Sequence, residues 1–309
     1  MPVFVVGKRN RRRGRIVVDK QAPRDPEWRT IHGAADSMRR EMNRAFLRAI
    51  ARTQDALTLA AIERALESGD LQAAEEAIPW ELLEREFQQE MQPAIAETVR
   101  RGGEASLKHL PAAVAAQMRF DLLNPRSVDF IRQHTAELVR EVGEETKAAI
   151  RGVIQRAFEE GMHPRRSARY IRELVGLTER QAAAVDNYRR RLLRDGASLQ
   201  RAEELATRYG RRLHRHRALN IARTETLRAA NEGQNLLWQQ GIEEGLILPE
   251  RTFREWIVTP DDRLCEFCEE MDGQQVGMNE PFVSPAFGAV DVPPLHPGCR
   301  CTVVLHFED

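Results

Sequence analysis

Apolar residues recur at intervals of three and four positions over most of the chain, from about residue 29 to residue 248. This spacing places them on one face of an α-helix. The stripe is clearest over residues 127–160, where its members are Ile131, Leu138, Val142, Ile150, Val153, Ala157 and Phe158. Gly102 and Gly103 interrupt the pattern and predict a break between helices. We therefore expect a helical domain over residues 29–248.

The first 28 residues have a different pattern. Two short β-branched runs, VFVV and RIVV, flank the sequence GKRNRRRG and predict a hairpin-like arm over residues 1–20. Its tip carries six positive charges in eight positions: Lys8, Arg9, Arg11, Arg12, Arg13 and Arg15. Such a tip fits contact with nucleic-acid phosphates or with an acidic protein surface, and a solvated arm fits it equally well. Two prolines then indicate a linker over residues 21–28.

The helical pattern ends near residue 248, and residues 249–309 predict a small α+β domain. The sequence FREWIV at 253–258 has a strand-like composition, and the remainder is rich in proline, glycine and turn sequences. A segment of about 60 residues buries too little apolar surface to be stable through its core alone. We therefore expect a mainly α protein whose small C-terminal domain is stabilised by a cross-link or a metal.

All four cysteines of the chain lie in this C-terminal segment, in the sequences RLCEFC (263–268) and HPGCRC (296–301). The CxxC spacing directs two thiolates toward one ion, and zinc takes four nitrogen or sulfur ligands. Five candidate ligands compete for the four positions: Cys265, Cys268, His296, Cys299 and Cys301. Cys265, Cys268 and Cys299 are the first choices, and either His296 or Cys301 completes the set.

Two disulfides or free thiols are the alternatives to a structural zinc site. The N-terminal apolar run is short and precedes its charges, which is the reverse of a secretory signal. No run approaches the roughly 20 apolar residues that cross a membrane. We therefore expect synthesis in a reducing cytoplasm and no membrane association, and a reducing compartment favours metal binding over disulfides.

Composition narrows the function classes further. The chain has 47 basic and 47 acidic residues, so the whole molecule is not a general binder of polyanions. It has no Walker loop, no GxGxxG and no GxSxG motif. His214 and His216 lie in an arginine-rich helix and fit a solvated face better than a catalytic pair.

Acidic residues close to the cysteines keep one enzymatic alternative open, a metal-dependent nuclease that uses the C-terminal domain. They are Asp261, Asp262, Glu266, Glu269, Glu270 and Asp291. Turn capping and solubility are the simpler roles for these side chains.

Three stretches together resemble the Mu F-like minor head proteins of tailed bacteriophages, also called head morphogenesis proteins. They are IARTETLRAANEGQ (221–234), REWIVTPDDRLCEFCEEMDGQQV (254–276) and PPLHPGCRCTVV (293–304). The residues that match the family pattern are Arg223, Thr224, Glu225, Trp256, Asp262, Arg263, Cys265, Cys268, Asp272, Gly273, His296, Pro297, Cys299, Arg300 and Cys301. The resemblance covers roughly residues 130–305.

The resemblance implies a non-enzymatic minor structural protein of the phage head. Its partners would be the portal protein and the major capsid protein, and it would lie in the host cytoplasm during assembly and then in the capsid interior. The basic arm could touch packaged double-stranded DNA there, without sequence preference. We also expect Arg223 or Glu225 to hold its helix against the cysteine domain by hydrogen bonds, with Trp256 and Asp262 as further members of this structural motif.

Overall fold

The computed structural model describes residues 26–259 and 261–308. The arm predicted over residues 1–20, with its six basic side chains, lies outside the described residues. A helix begins at Pro26, so the last three residues of the predicted linker are helical. Proline suits the first turn of a helix because its fixed φ matches the helix and its missing N–H would have no partner there.

Helices dominate the described residues, which confirms the prediction of a mainly α protein. They are α1 (Pro26–Ala56), α2 (Leu59–Glu67), α3 (Leu71–Glu76), α4 (Trp80–Ser106), α5 (Ala112–Ala115), α6 (Pro125–Glu159), α7 (Pro164–Leu174), α8 (Glu179–Arg194), α9 (Leu199–Glu243) and α10 (Glu266–Glu269). Short 3₁₀ helices cover Leu107–His109 and Pro249–Arg251. None of the described helices is both long and apolar enough to cross a membrane.

The strands lie in the C-terminal part of the chain, as predicted. They are β1 (Thr252–Ile257), β2 (Gln275–Gly277), β3 (Phe282–Ser284), β4 (Gly288–Val290) and β5 (Thr302–Phe307). Strand β1 is the centre of an antiparallel sheet with the order β2-β1-β5, and Trp256 lies opposite Val303. Strands β3 and β4 form a separate antiparallel hairpin. Alternate residues of β1 are buried, which is the period-2 pattern of a strand with one face on a core.

The chain folds into two compact units, each assembled from separate stretches of sequence. The described part of unit 1 comprises residues 26–39, 95–128, 223–259 and 261–308. Unit 2 comprises residues 40–94 and 129–222. This division differs from the predicted boundary at residue 248, because the C-terminal segment belongs to the same unit as the end of α9.

The physical reason for this division is the size of the C-terminal segment. Its buried residue Trp256 belongs to a core cluster that also contains Trp238 of α9 and Leu110 and Met118 from the middle of the chain. Trp256 packs edge-to-face against Phe282 with ring centroids 5.2 Å apart. The segment is too small for a sufficient core of its own, so it completes one with helices of unit 1.

Unit 2 contains His214, which is buried, contrary to the solvated position expected for it. Its Nε2 donates to the carbonyl oxygen of Val175 at 2.9 Å, and burial lowers its pKa to about 4. His216 is exposed. A buried histidine in hydrogen-bond contact with a backbone carbonyl is a packing element, so the pair has no catalytic arrangement.

Gly102 and Gly103 do not break a helix, because α4 continues through them to Ser106. The two glycines allow close approach instead. A Cβ atom on Gly102 would lie 2.2 Å from the carbonyl oxygen of Ala230, and one on Gly233 would lie 2.0 Å from that of Val99. Helices α4 and α9 therefore meet backbone to backbone within unit 1, and a glycine on each helix makes this contact possible.

We predict that Gly233→Ala destabilises unit 1 by about 3 kcal/mol, because the added methyl group meets backbone atoms that cannot move without separating the helices. Urea unfolding followed by circular dichroism measures the change. The matched control is Gly33→Ala in α1, where no described atom lies within 4 Å of the new Cβ. That variant should gain up to about 1 kcal/mol from helix propensity. Equal unfolding midpoints for the two variants would contradict the close helix contact.

Candidate metal centre

Two turns carry the five predicted ligands. Cys265 directly precedes α10, and its carbonyl oxygen accepts a hydrogen bond from the amide of Glu269 at 3.0 Å. Cys268 follows three positions later, on the same side of this single helical turn. In the second turn the amide of Cys299 donates to the carbonyl oxygen of His296 at 3.0 Å. Cys301 immediately precedes β5, so the sheet fixes its position.

The structure brings the five residues together as two overlapping groups of three. The Sγ atoms of Cys265 and Cys268 lie 3.1 and 3.2 Å from Nε2 of His296. The Sγ atoms of Cys268 and Cys299 are 3.7 Å apart. Potential ligand atoms lie within 4.8 Å of one another in two groups, Cys265–Cys268–His296 and Cys268–Cys299–Cys301. Cys268 belongs to both groups and is therefore the centre of the cluster.

The imidazole of His296 is oriented for metal binding. Its Nδ1 lies 3.0 Å from the carbonyl oxygen of Pro297. A carbonyl oxygen only accepts, so Nδ1 carries the proton, and the lone pair of the neutral ring is on Nε2, facing the two cysteine sulfurs. A backbone acceptor of this kind typically orients a metal-bound histidine.

The three thiols of the second group share their protons unequally. Hydrogen bonds from Cys268 and Cys301 stabilise a thiolate on Cys299 and lower its pKa. The same hydrogen bond with Cys299 raises the pKa of Cys268, and the pKa of Cys301 is raised chiefly by its hydrogen bond with Cys268. The cluster therefore stabilises one thiolate, and further thiolates need a cation beside them.

Three of the separations are close to the edges of a tetrahedron around an ion with sulfur and nitrogen ligands. With Zn–S bonds of about 2.3 Å and Zn–N bonds of about 2.0 Å, the edges of a tetrahedron are about 3.8 Å between sulfurs and about 3.5 Å between sulfur and nitrogen. The observed separation of the Cys268 and Cys299 sulfurs is 3.7 Å. The separations from His296 Nε2 are a few tenths of an ångström shorter than the ideal edge. None of the four cysteines is in a disulfide.

Arg300 lies between Cys299 and Cys301 and links the second cysteine turn to the first. Its guanidinium forms a two-pronged ion pair with Asp261, with Nη2 2.6 Å from Oδ1. These hydrogen bonds hold the pKa of the Asp261 carboxyl well below its usual range. On the backbone side, the Arg300 carbonyl oxygen accepts hydrogen bonds from His32 of α1 and from the hydroxyl of Thr259. The position of both turns therefore depends on Arg300.

Helix α9 holds the second turn through buried polar side chains on one face. The hydroxyl of Thr224 accepts from the amide of Gly298 at 3.1 Å. Asn231 accepts from the hydroxyl of Thr302 at 2.6 Å, and Gln234 donates to the carbonyl oxygen of Val303 at 2.9 Å. Residues spaced seven and three positions apart share one side of a helix, which is why these three reach the same segment.

The contacts of Thr224, Asn231 and Gln234 were not predicted from the sequence, although a signal for them was present. They are polar residues on the face of α9 that also carries the buried Leu227 and Ala230. A polar residue within an apolar helix face needs a partner, so its position predicts a contact with another element. What the sequence could not supply was the identity of that element.

The residues of the predicted structural motif differ in their burial. Arg223 is exposed, whereas Glu225 is buried and lies 3.7 Å from Arg228 of the same helix. Thr224, between these two residues, accepts a hydrogen bond from the amide of Gly298 in the cysteine segment. Trp256 is fully buried. Asp262 is exposed, and the ion pair to Arg300 is made by its neighbour Asp261.

The acidic residues near the cysteines do not converge on the cluster. Exposed positions are occupied by Asp262, Glu266, Glu269, Glu270 and Asp291. Within the described residues, neither group of potential metal ligands includes a carboxylate. A metal-dependent nuclease needs an acid or base beside an open metal position, so this arrangement gives the nuclease alternative no support.

We predict that Asp261→Asn destabilises unit 1 by about 1–3 kcal/mol, because it removes a charge-assisted pair and leaves the Arg300 guanidinium, which is 18% exposed, without its anion. Denaturant unfolding with tryptophan fluorescence measures the change. Asp262→Asn is the matched control, since it alters the next carboxylate in the chain, and it should stay within about 0.5 kcal/mol of the parent. An equal loss in both variants would show that the ion pair has no special role.

Comparison with known proteins gives a family but no individual relative. A family model described as Phage Mu protein F like protein matches residues 148–304, which is 157 of the 309 residues. Neither a curated protein nor a solved structure matches the chain. The matched region contains Thr224, Trp256 and all five residues of the Cys/His cluster. Half of the chain thus carries the family's pattern, and the chain belongs to the Phage Mu protein F-like family.

Proposed function

We propose that the protein is a minor structural component of a tailed-bacteriophage head that acts in head morphogenesis. The observation that carries this proposal is family membership over the region that builds the Cys/His cluster. The protein associates with the portal protein and with the inner surface of the major capsid protein. It is present in the host cytoplasm during assembly and then in the virion.

The proposed role of the Cys/His cluster is to bind a structural zinc ion. Cys265, Cys268, His296 and Cys299 would hold the ion, with Cys301 as the alternative to His296. A bound zinc would supply positive charge for the additional thiolates and would cross-link the two turns. The donor set favours zinc because sulfur and imidazole ligands in a tetrahedral arrangement suit this ion.

A structural role is favoured over catalysis by the surroundings of the cluster. Cys268, Cys299 and Cys301 are at most 3% exposed. Four protein ligands would fill the coordination sphere and leave no position for water. The protein is therefore proposed to be non-enzymatic. Contact with packaged double-stranded DNA through Lys8, Arg9, Arg11, Arg12, Arg13 and Arg15 remains part of the proposal, as a sequence-independent contact with phosphates.

We predict about one zinc ion per chain in protein purified without reductant, with thiols that react only after chelation and unfolding. Elemental analysis and a thiol titration on the same sample measure both quantities. His296→Ala should lower the zinc content and the melting temperature. His216→Ala, at an exposed position in unit 2, is the control and should change neither. Absence of zinc together with absence of titratable thiols would mean two disulfides and would refute the metal site.

Incorporation into heads tests the proposed function directly. We predict that the protein co-purifies with assembled heads at a fixed, low copy number, and that heads made without it are defective in assembly or DNA content. Quantitative mass spectrometry of purified heads gives the copy number. Normal heads without the protein would contradict the proposed role. Divalent-metal-dependent DNA cleavage that Asp291→Ala abolishes would favour the nuclease alternative.

A further inference from the structure

Positive charge is concentrated in one part of unit 2, although the whole chain is neutral. Residues 161–217 contain 15 arginines, no lysine and six acidic residues, a formal excess of nine positive charges. The complete absence of lysine is informative. Arginine presents a planar fork of N–H donors that pairs with two oxygens at once, whereas lysine acts as a point charge.

Helices α7, α8 and α9 bring part of this charge together around a pocket of about 440 Å³. Six arginines line the pocket: Arg166, Arg169, Arg172, Arg189, Arg208 and Arg211. Three glutamates also line it, Glu173, Glu203 and Glu204, so the lining has an excess of three positive charges. The volume lies in the range of small-molecule sites.

Arg189 and Tyr170 in the pocket wall are among the residues whose buried polar groups have no hydrogen-bond partner in the described part of the chain. The side chain of Arg189 is only 5% exposed, and its Nη1 lacks an acceptor; its nearest anion, Glu160, is 3.7 Å away. The hydroxyl of Tyr170, whose ring lies 5.8 Å from the Arg189 guanidinium, is also buried without a partner. Buried donors are nearly always satisfied, so these two point to a ligand that supplies acceptor oxygens.

The remaining arginines are arranged to receive the same ligand. The Nε of Arg166 lies 3.0 Å from Glu203 in an ion pair without hydrogen-bond geometry. Arg169 and Arg208 are exposed, and neither has an acidic partner in the described part of the chain. The pocket thus combines an anchored arginine, a buried unsatisfied one and two that are available to bind an anion.

We propose that this pocket of unit 2 is a binding site for phosphate groups. A phosphate group carries up to two negative charges and offers several acceptor oxygens, which matches the excess charge of the lining and its unsatisfied donors. The ring of Tyr170 and the side chain of Met162 add a less polar wall. The phosphates come either from a free phosphate compound or from a nucleic-acid backbone. The proposal rests on unit 2 alone and is independent of the Cys/His cluster and of the basic arm.

Calorimetric titration of the full chain with inorganic pyrophosphate and, separately, with a short mixed-sequence DNA duplex tests the proposal. The pocket variant is Arg169→Ala with Arg208→Ala. The control is Arg180→Ala with Arg194→Ala, which removes the same charge from exposed arginines of α8 outside the pocket. All four side chains are exposed, so both variants should fold, and their melting curves verify this.

For a free phosphate ligand, the pocket variant should bind pyrophosphate at least about tenfold more weakly than the parent, and the control should not. For a nucleic-acid backbone, the pocket variant should lose about two phosphate contacts with the duplex. The plot of log binding constant against log salt concentration should then become less steep, by about 0.9 for each lost contact. Either result supports the site and identifies its source of phosphate. Binding of neither probe by the parent chain, or equal losses in the pocket variant and the control, would overturn the proposal.

Discussion

The ion pair between Asp261 and Arg300 is the interaction on which the Cys/His cluster depends. Asp261 precedes the first cysteine turn, and Arg300 lies within the second, so the pair joins two segments that α10 and strands β2 to β4 separate along the chain. Both side chains are largely shielded from water, which makes a two-pronged carboxylate–guanidinium pair stronger than an exposed one. The backbone of Arg300 is held at the same time by α1, so the ion pair is fixed to the helices of unit 1 as well.

The electrostatics of the thiols explain why the two cysteine turns need contacts that hold them together. Three buried sulfurs in contact stabilise one negative charge and resist a second, because the charges repel in a medium that screens them poorly. Without external constraints the turns could relieve this repulsion by separating. The polar face of α9 and the Asp261–Arg300 pair oppose that separation and keep the two turns together. A metal ion bound at this cluster would couple its binding to the folding of this segment.

The two units divide the chemistry of the protein between them. Unit 1 contains the Cys/His cluster and the close helix contact through glycine. Unit 2 contains the arginine-rich helices. Acidic residues elsewhere in the chain balance their positive charge in the total, but the local excess remains. A neutral net charge therefore conceals a local excess of positive charge, and electrostatic attraction, which acts over about 10 Å, responds to local rather than total charge.

The amino-acid sequence by itself determined the helices, the location of the strands and the set of residues in the Cys/His cluster. Helical periodicity and CxxC spacing are local, so each can be recognised without knowing the rest of the fold. The tertiary structure decided what depends on distant partners. Gly102 resembles a helix breaker in sequence, but the approach of Ala230 makes it a helix contact. Asp261 and Asp262 are adjacent residues of the same type, so the sequence does not show which of them forms an ion pair. The folded position of Arg300 decides that it is Asp261. The small size of the C-terminal segment predicted that its core needs packing from another element. Only the tertiary structure showed that α9 provides this packing, because the sequence of a helix face does not specify its partner.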